Sequence, residues 1–479
     1  MRRLARRGLV ATAVVAVLLA AALPAAIDRV GVAPRTLAPY IEKRSSGHNP
    51  VIVGIGRRIA ATLMALDRGA VDVPPPRLSL DAGAQPHPAG QAADGIQVAT
   101  PDALRAALQQ AAPGDVITLA PGTYRFQGKG IGISRPGRAD ARIVVRAAQP
   151  GTVHIELETL EGFVVGAPYW RFENLDIAGV CPADDDCEHA FHVVGGAHHF
   201  ESVNNTIRDF NAHFKINGLD GRYPDDGMIE HTTLTAAHVR ATMKPVTPID
   251  LVTASGWTVR ANLISDFVKR DGNEVSYGAF AKGGGKHNVF ERNVVWCEQV
   301  LRGQPGQRVG LSLGGGGTGR EFCRDGRCIT EQEGGVLRAN LIVGCSDAGI
   351  YLNGAAASKV IDNTLVDTTG IDVRYPNSSA VLDGNLVDGP IRGRQGGILH
   401  LGDNREAPLW RTYLGSHPVR GLFRAPATGD FSWRDGAPLR DDADMEARPA
   451  DALDLCGKRR ATPAVYGAFA SFSDCATAP

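Results

Sequence analysis

Chemistry concentrates in this sequence at Lys282-Gly283-Gly284-Gly285-Lys286, preceded by Asp271-Gly272-Asn273-Glu274 and by Tyr277. A lysine beside glycines that bare the backbone can meet an anionic polymer, and an ammonium crowded by other cations can give up its proton and serve as a base. Proton return then falls to a phenol or an imidazole, with Tyr277 and His213 as candidates. Glu274, together with Asn217 or Asp250, offers oxygen ligands to a cation. The competing reading of Lys282 is a solvated surface charge. Three other clusters carry less. Gly314 to Gly317 lacks the Lys-Ser/Thr and helix of a phosphate-cradling loop. The histidines 189, 192, 198, 199, 213, 231 and 238 show no HxH or HExxH pattern, although His192 and His213 stand in reserve for acid/base work. Asp184 to Asp186 lacks the spacing of an EF-hand loop.

These residues need a scaffold that brings distant positions together, and the sequence supplies one by repetition. Short apolar segments recur around a polar marker at Asn205, Thr232, Asn262, Asn293, Asn340, Asn363 and Asn385, spaced 27, 30, 31, 47, 23 and 22 residues apart. A period of this size means a solenoid. Each unit holds strands of four to six residues alternating at period two and no helical stripe, which selects a parallel β-helix over helical repeats. Strands then stack at ~4.8 Å, and the markers are expected to form a buried Asn ladder at one bend.

The strand preceding each marker reads Phe214–Asn217, Ile249–Val252, Ala279–Lys282, Leu311–Gly314, Ile350–Asn353 and Ile371–Arg374. First and third positions are apolar and point inward. The others form two outward columns: Lys215, Asp250, Phe280, Ser312, Tyr351, Asp372, and Asn217, Val252, Lys282, Gly314, Asn353, Arg374. That strip suits an extended chain, with Lys215, Asn217, Asp250, Lys286, Tyr351, Asn353 and Arg374 as binding candidates.

Composition sets the surroundings. Fifty-one basic and fifty-one acidic residues cancel, which argues against nucleic acid as a partner. Arg2, Arg3, Arg6 and Arg7 precede a nineteen-residue apolar run, Leu9 to Ile27. This predicts export by a signal peptide or an uncleaved anchor over 1–27, and a periplasmic or cell-surface location. A stalk and Pro/Ala-rich linker over 28–95 follows, with one short helix within 52–66. The solenoid spans 96–440 and a capping tail 441–479; a monomer is expected. Thr100 and Pro101 open a capping helix, Pro101 to Ala112, at the solenoid's start. Eight cysteines suit an oxidising space. Cys181 with Cys187 and Cys323 with Cys328 bracket short loops, Cys297 and Cys345 fall in successive coils, and Cys456 and Cys475 remain. Sequence leaves their pairing open.

The run Pro113 to Tyr124, the strand Ile143–Ala147 with its turn at Pro150-Gly151, and Trp170-Arg171-Phe172-Glu173-Asn174-Leu175-Asp176-Ile177 resemble the opening coils of right-handed parallel β-helix proteins of the pectate lyase superfamily. The layout is most similar to its chondroitinase B and alginate lyase family. The resemblance covers roughly residues 96 to 470. It implies a polysaccharide lyase in which a lysine abstracts the C5 proton of a uronate while calcium neutralises the sugar carboxylate. Lys282 matches that lysine. The family's metal-binding acids would fall at Tyr277 and Val275, leaving Glu274 as the nearest substitute, and its acid-donating arginine falls at Gly314. The expectation is therefore an acidic-polysaccharide protein acting by β-elimination. Hydrolysis or epimerisation through outward carboxylates such as Asp250 and Asp372, or glycan binding without turnover, are the alternatives.

Overall fold

The computed structural model describes residues 22–69, 83–85, 95–315, 317–440, 452–460 and 464–475. These fall into two compact units, one from residues 1–72 with 407–418 and one from residues 73–406 with 419–479. Among the described residues the first contains a helical stretch over 22–30 and the helices α1 (Pro34–Ser45) and α2 (Pro50–Arg68). Proline opens each, and Asn49 caps α2 by accepting from Ile52 N at 3.0 Å. The helix anticipated over 52–66 is α2. Helix α1 was unforeseen because Pro39 lies inside it, a residue that in sequence reads as a breaker. Most of the apolar run lies outside the described residues, among which no helix is long and apolar enough to cross a membrane.

The second unit is a parallel β-helix. Three sheets of twelve, eleven and ten strands run its length, each strand pairing in parallel with its counterparts in the flanking coils. Helix α3 (Pro101–Gln110) stands at its start, capped by Thr100 accepting from Ala103 N at 3.2 Å, with Leu104 and Leu108 buried. The interior is a stack of like side chains in register. Phe163, Phe191 and Phe214 lie ring on ring at 5.2 and 5.3 Å.

The bend between the first and second sheets explains the markers. Asn262, Asn293, Asn340, Asn363 and Asn385 are fully buried, and each amide donates to the next marker's Oδ1 at 2.8 to 3.0 Å, ending on Asn404, an eighth member that the sequence reading did not reach. The residue before each marker holds a positive φ: Asn204, His231, Ala261, Arg292, Ala339, Asp362 and Gly384. One left-handed residue per coil turns the chain, and the following Asn satisfies backbone groups that the turn takes out of the ladder.

Four disulfides close the chain locally: Cys181–Cys187, Cys297–Cys345, Cys323–Cys328 and Cys456–Cys475. Residues 83–85, within the stretch read as linker, dock on the bend through Gly83 N to Ala261 O (2.8 Å) and Gln85 N to Asn204 Oδ1 (2.5 Å). The closing segment lies against the outer side of the second sheet: Phe431 meets Trp296 at 5.9 Å, and Ala468 N donates to Thr364 Oγ1 at 2.8 Å.

Candidate functional site

The third sheet carries the outward columns in the expected register. Lys215 aligns with Asp250, Asp250 with Phe280, Phe280 with Ser312, Ser312 with Tyr351 and Tyr351 with Asp372. The second column runs through Val252, Lys282, Gly314, Asn353 and Arg374. The columns are not an open strip, however. Asp250, Phe280, Ser312 and Asp372 are all buried: Lys215 lies on Asp250, Lys282 and Tyr277 on Phe280, and Arg392 and Arg394 on Asp372. Gly314 is where the longest insertion departs: its φ is 67°, and a Cβ there would meet Asn353 O at 1.9 Å.

What remains open is a cleft of about 540 Å³. Lys215, Asn217, Val252, Thr253 and Lys282 line it from the sheet and its turn; Leu219, Asp220, Tyr223, Thr318, Glu321 and Phe322 line it from two loops. Lys215 donates to Asp250 Oδ2 at 2.8 Å, so its charge is already compensated. Lys282 has no ion-pair partner among the described residues; its ammonium sits 4.3 Å from the Phe280 ring centroid. The rim carboxylates Asp220 and Glu321 are exposed and screened by solvent, whereas the floor lysines are half-buried. Neighbouring Glu331 is buried and accepts from Gly315 N (3.1 Å) and Thr318 Oγ1 (3.1 Å), which fixes the start of the insertion beside Lys282.

The other expected residues divide. Asn217 reaches the cleft, its Oδ1 2.8 Å from His192 Nε2, while His192 Nδ1 lies 2.8 Å from Glu161. Burial pulls the His192 imidazole down, but bonding to Glu161 and Asn217 outweighs it and the net movement is upward. Tyr351, Asn353 and Arg374 form their own cluster, with Asn353 Nδ2 and Arg374 Nη1 donating to Tyr351 Oη at 3.1 and 3.2 Å. Arg374 stands three coils beyond Lys282, about 14 Å away along the axis.

Several expectations need correction. His213 cannot return a proton to a substrate. By register it occupies the inward corner position that Ala190, Pro248 and Gly278 hold in other coils, so the ring is buried and Nε2 donates to Thr235 O at 3.0 Å. Burial pushes it down to about 4. The same corner displaces Tyr277. At Gly278 the alternation slips, since a Cβ there would face Val295 and Phe267 in the core; Tyr277 therefore turns outward, edge-on to Phe280 at 5.6 Å, and does not line the cleft. Burial raises its phenol to about 12, which leaves it protonated.

Lys286 has left the strip: it lies on a separate three-stranded sheet and pairs with Glu333 at 2.7 Å. The calcium set does not assemble either. Glu274 precedes the eight-residue strand Val275–Lys282, which puts roughly 26 Å of extended chain between it and Lys282; Asp250 is committed to Lys215, and Asn217 to His192. Among the described residues no three His, Cys, Asp or Glu side chains are grouped to hold a metal ion. Asp250 and Asp372 are four coils apart, about 19 Å, well beyond the ~6.5–9.5 Å of an inverting pair, and each is ion-paired.

Sequence reasoning missed the cleft's loop walls, namely Leu219, Tyr223, Phe322 and the residues that tie them down. The one signal available was the Cys323 to Cys328 clip inside the longest insertion.

With this geometry in view, the chain can be set beside known proteins. No protein-family model and no curated protein sequence matches it. Among solved structures it is similar to pectate lyase Pel9A, with a TM-score of 0.53 at 15% identity over 82% of this chain and 98% of that one. A rhamnogalacturonan lyase (TM-score 0.42, 13% identity, 65% and 87% of the two chains) and an alginate lyase from Paenibacillus sp. str. FPU-7 (0.34, 16%, 65% and 99%) are more distant. At such identity the likeness defines a class by fold: this is a parallel β-helix protein whose coils match those of a pectate lyase.

Proposed function

We propose that this chain is an exported β-helix protein that acts on an acidic polysaccharide by β-elimination, with Lys282 as the base. The observation that carries the reading is a lysine on the floor of the cleft, Lys282, that has no ion-pair partner among the described residues and lies one coil from the Lys215–Asp250 pair. The unprotonated Lys282 amine would take the proton α to a uronate carboxylate. The electron pair left on that carbon forms the new double bond as the glycosidic C4–O4 bond breaks, and the leaving oxygen takes up a proton. The Lys215 ammonium, held in place by Asp250 through one of its three N–H groups, keeps donors that can hydrogen-bond the carboxylate in the same cleft. Four disulfides support an oxidising, extracytoplasmic location. The basic, apolar amino terminus supports a signal peptide or membrane anchor, and the chain acts as a monomer.

The test is turnover of polygalacturonate, alginate and glycosaminoglycans, read by the ultraviolet absorbance of the unsaturated product. Lys282→Ala is expected to lower the rate about 10³-fold with the fold intact by circular dichroism. Equal cleavage by wild type and variant would remove Lys282 from the mechanism; reducing ends without the absorbance would indicate hydrolysis, and binding without turnover a glycan-holding protein.

A further inference from the structure

We propose that the disulfide-closed loop Gly317–Cys328 supplies the sugar-stacking wall of the cleft, with Phe322 as the platform and Arg324 as the positioning residue that holds it. The proposal rests on the reading of the cleft as a glycan site. Phe322 is 65% exposed and Leu219 50% exposed, and both line the cleft. Two bare apolar side chains bordering one polar cleft mark a surface built to be covered. A pyranose ring fits that demand: its C–H face is flat and apolar, suited to an aromatic side chain, while its carboxylate points to a cationic floor.

The loop is held as a wall should be. Cys323 and Cys328 close it immediately after Phe322. Arg324 then reaches across to the loop bearing Tyr223. Its Nη1 and Nη2 donate to the two Asp225 carboxylate oxygens at 2.8 Å each, Nη1 also donates to Ser255 Oγ at 3.0 Å and Thr253 O at 3.2 Å, and the guanidinium lies 4.1 Å from the Tyr223 ring centroid. Its backbone N donates to Gly283 O at 2.9 Å, on the residue following Lys282. One arginine therefore sets the distance between the aromatic wall, the opposite loop and the lysine floor.

The experiment measures binding of galacturonate and mannuronate hexamers, with cellohexaose as a neutral control, to the full chain by calorimetry. Phe322→Ala is expected to weaken hexamer binding about 10-fold and Phe322→Trp to restore it; both change an exposed residue and leave folding intact. Arg324→Ala is expected to weaken binding about 5-fold, but not further when Phe322 is already Ala, because its effect passes through that ring. If Phe322→Ala binds as wild type while Lys282→Ala loses affinity, the stacking wall is refuted and the acidic-glycan cleft stands. Additive losses in the double variant would refute the positioning role of Arg324. If neither uronate hexamer binds, both readings fall.

Discussion

The bend ladder from Asn262 to Asn404 and the outer columns from Lys215 to Arg374 repeat once per coil along the same solenoid, yet they are filled by opposite rules. At the bend the same amide recurs and each copy satisfies its neighbour, so the polar atoms are used up inside the ladder. In the columns the residue type changes at almost every coil, and charges pair locally, Lys215 with Asp250 and Asp372 with Arg392. Among the described residues Lys282 is left without a charge partner. Uniform repetition consumes polar groups in pairs; a break in repetition leaves one available to a ligand.

Four stability measurements sharpen that contrast. The largest effect belongs to the middle of the ladder. Asn293→Ala removes the acceptor of the backbone and side-chain N–H groups of Asn262 and the side-chain donor to Val259 O, leaving Asn340 Oδ1 with the backbone N–H of residue 293, and should cost on the order of 4 kcal/mol by denaturant titration. Loss below about 1 kcal/mol would mean that the ladder merely decorates the bend. In the cleft, by contrast, Lys282→Ala should leave stability unchanged within about 0.5 kcal/mol.

Acid comes next. His213 is held neutral by burial, with its affinity for a proton lowered from 6.5 to about 4. The unfolded chain therefore binds this proton more readily than the folded one, and stability falls as pH falls. The penalty is absent well above 6.5, grows through the window down to 4, and reaches roughly 3 kcal/mol there. Denaturation at pH 7 and pH 4.5 should show this loss in wild type and a smaller one in His213→Ala; parallel losses would put the acid sensitivity elsewhere, His189 being the next candidate because burial lowers it to about 4 as well. A smaller effect than at Asn293 is expected at the ladder's end, where Asn404 is half-buried and has one Asn neighbour. Asn404→Ala should cost about 1 kcal/mol, and a cost equal to that at Asn293 would contradict a graded ladder.

The period of the markers was enough to establish the solenoid, the coil register and the inward and outward faces of the third sheet, because parallel stacking allows one alignment of apolar positions once the repeat is known. Lys282 and Lys215 were legible on that basis. His213, Tyr277 and Lys286 were misjudged because alternation fails at corners: where the chain turns, two successive residues can both face inward, and only the folded backbone says which. Whether a charge is free is likewise undecidable along the chain, since Lys215 meets Asp250 and Arg324 meets Asp225 across separations of 35 and 99 residues. Repetition is a local property written into residue order, so the sequence alone determined the parallel β-helix. The cleft belongs to the irregular insertions, whose course over the sheet depends on contacts between remote residues, and those existed only once the chain had folded.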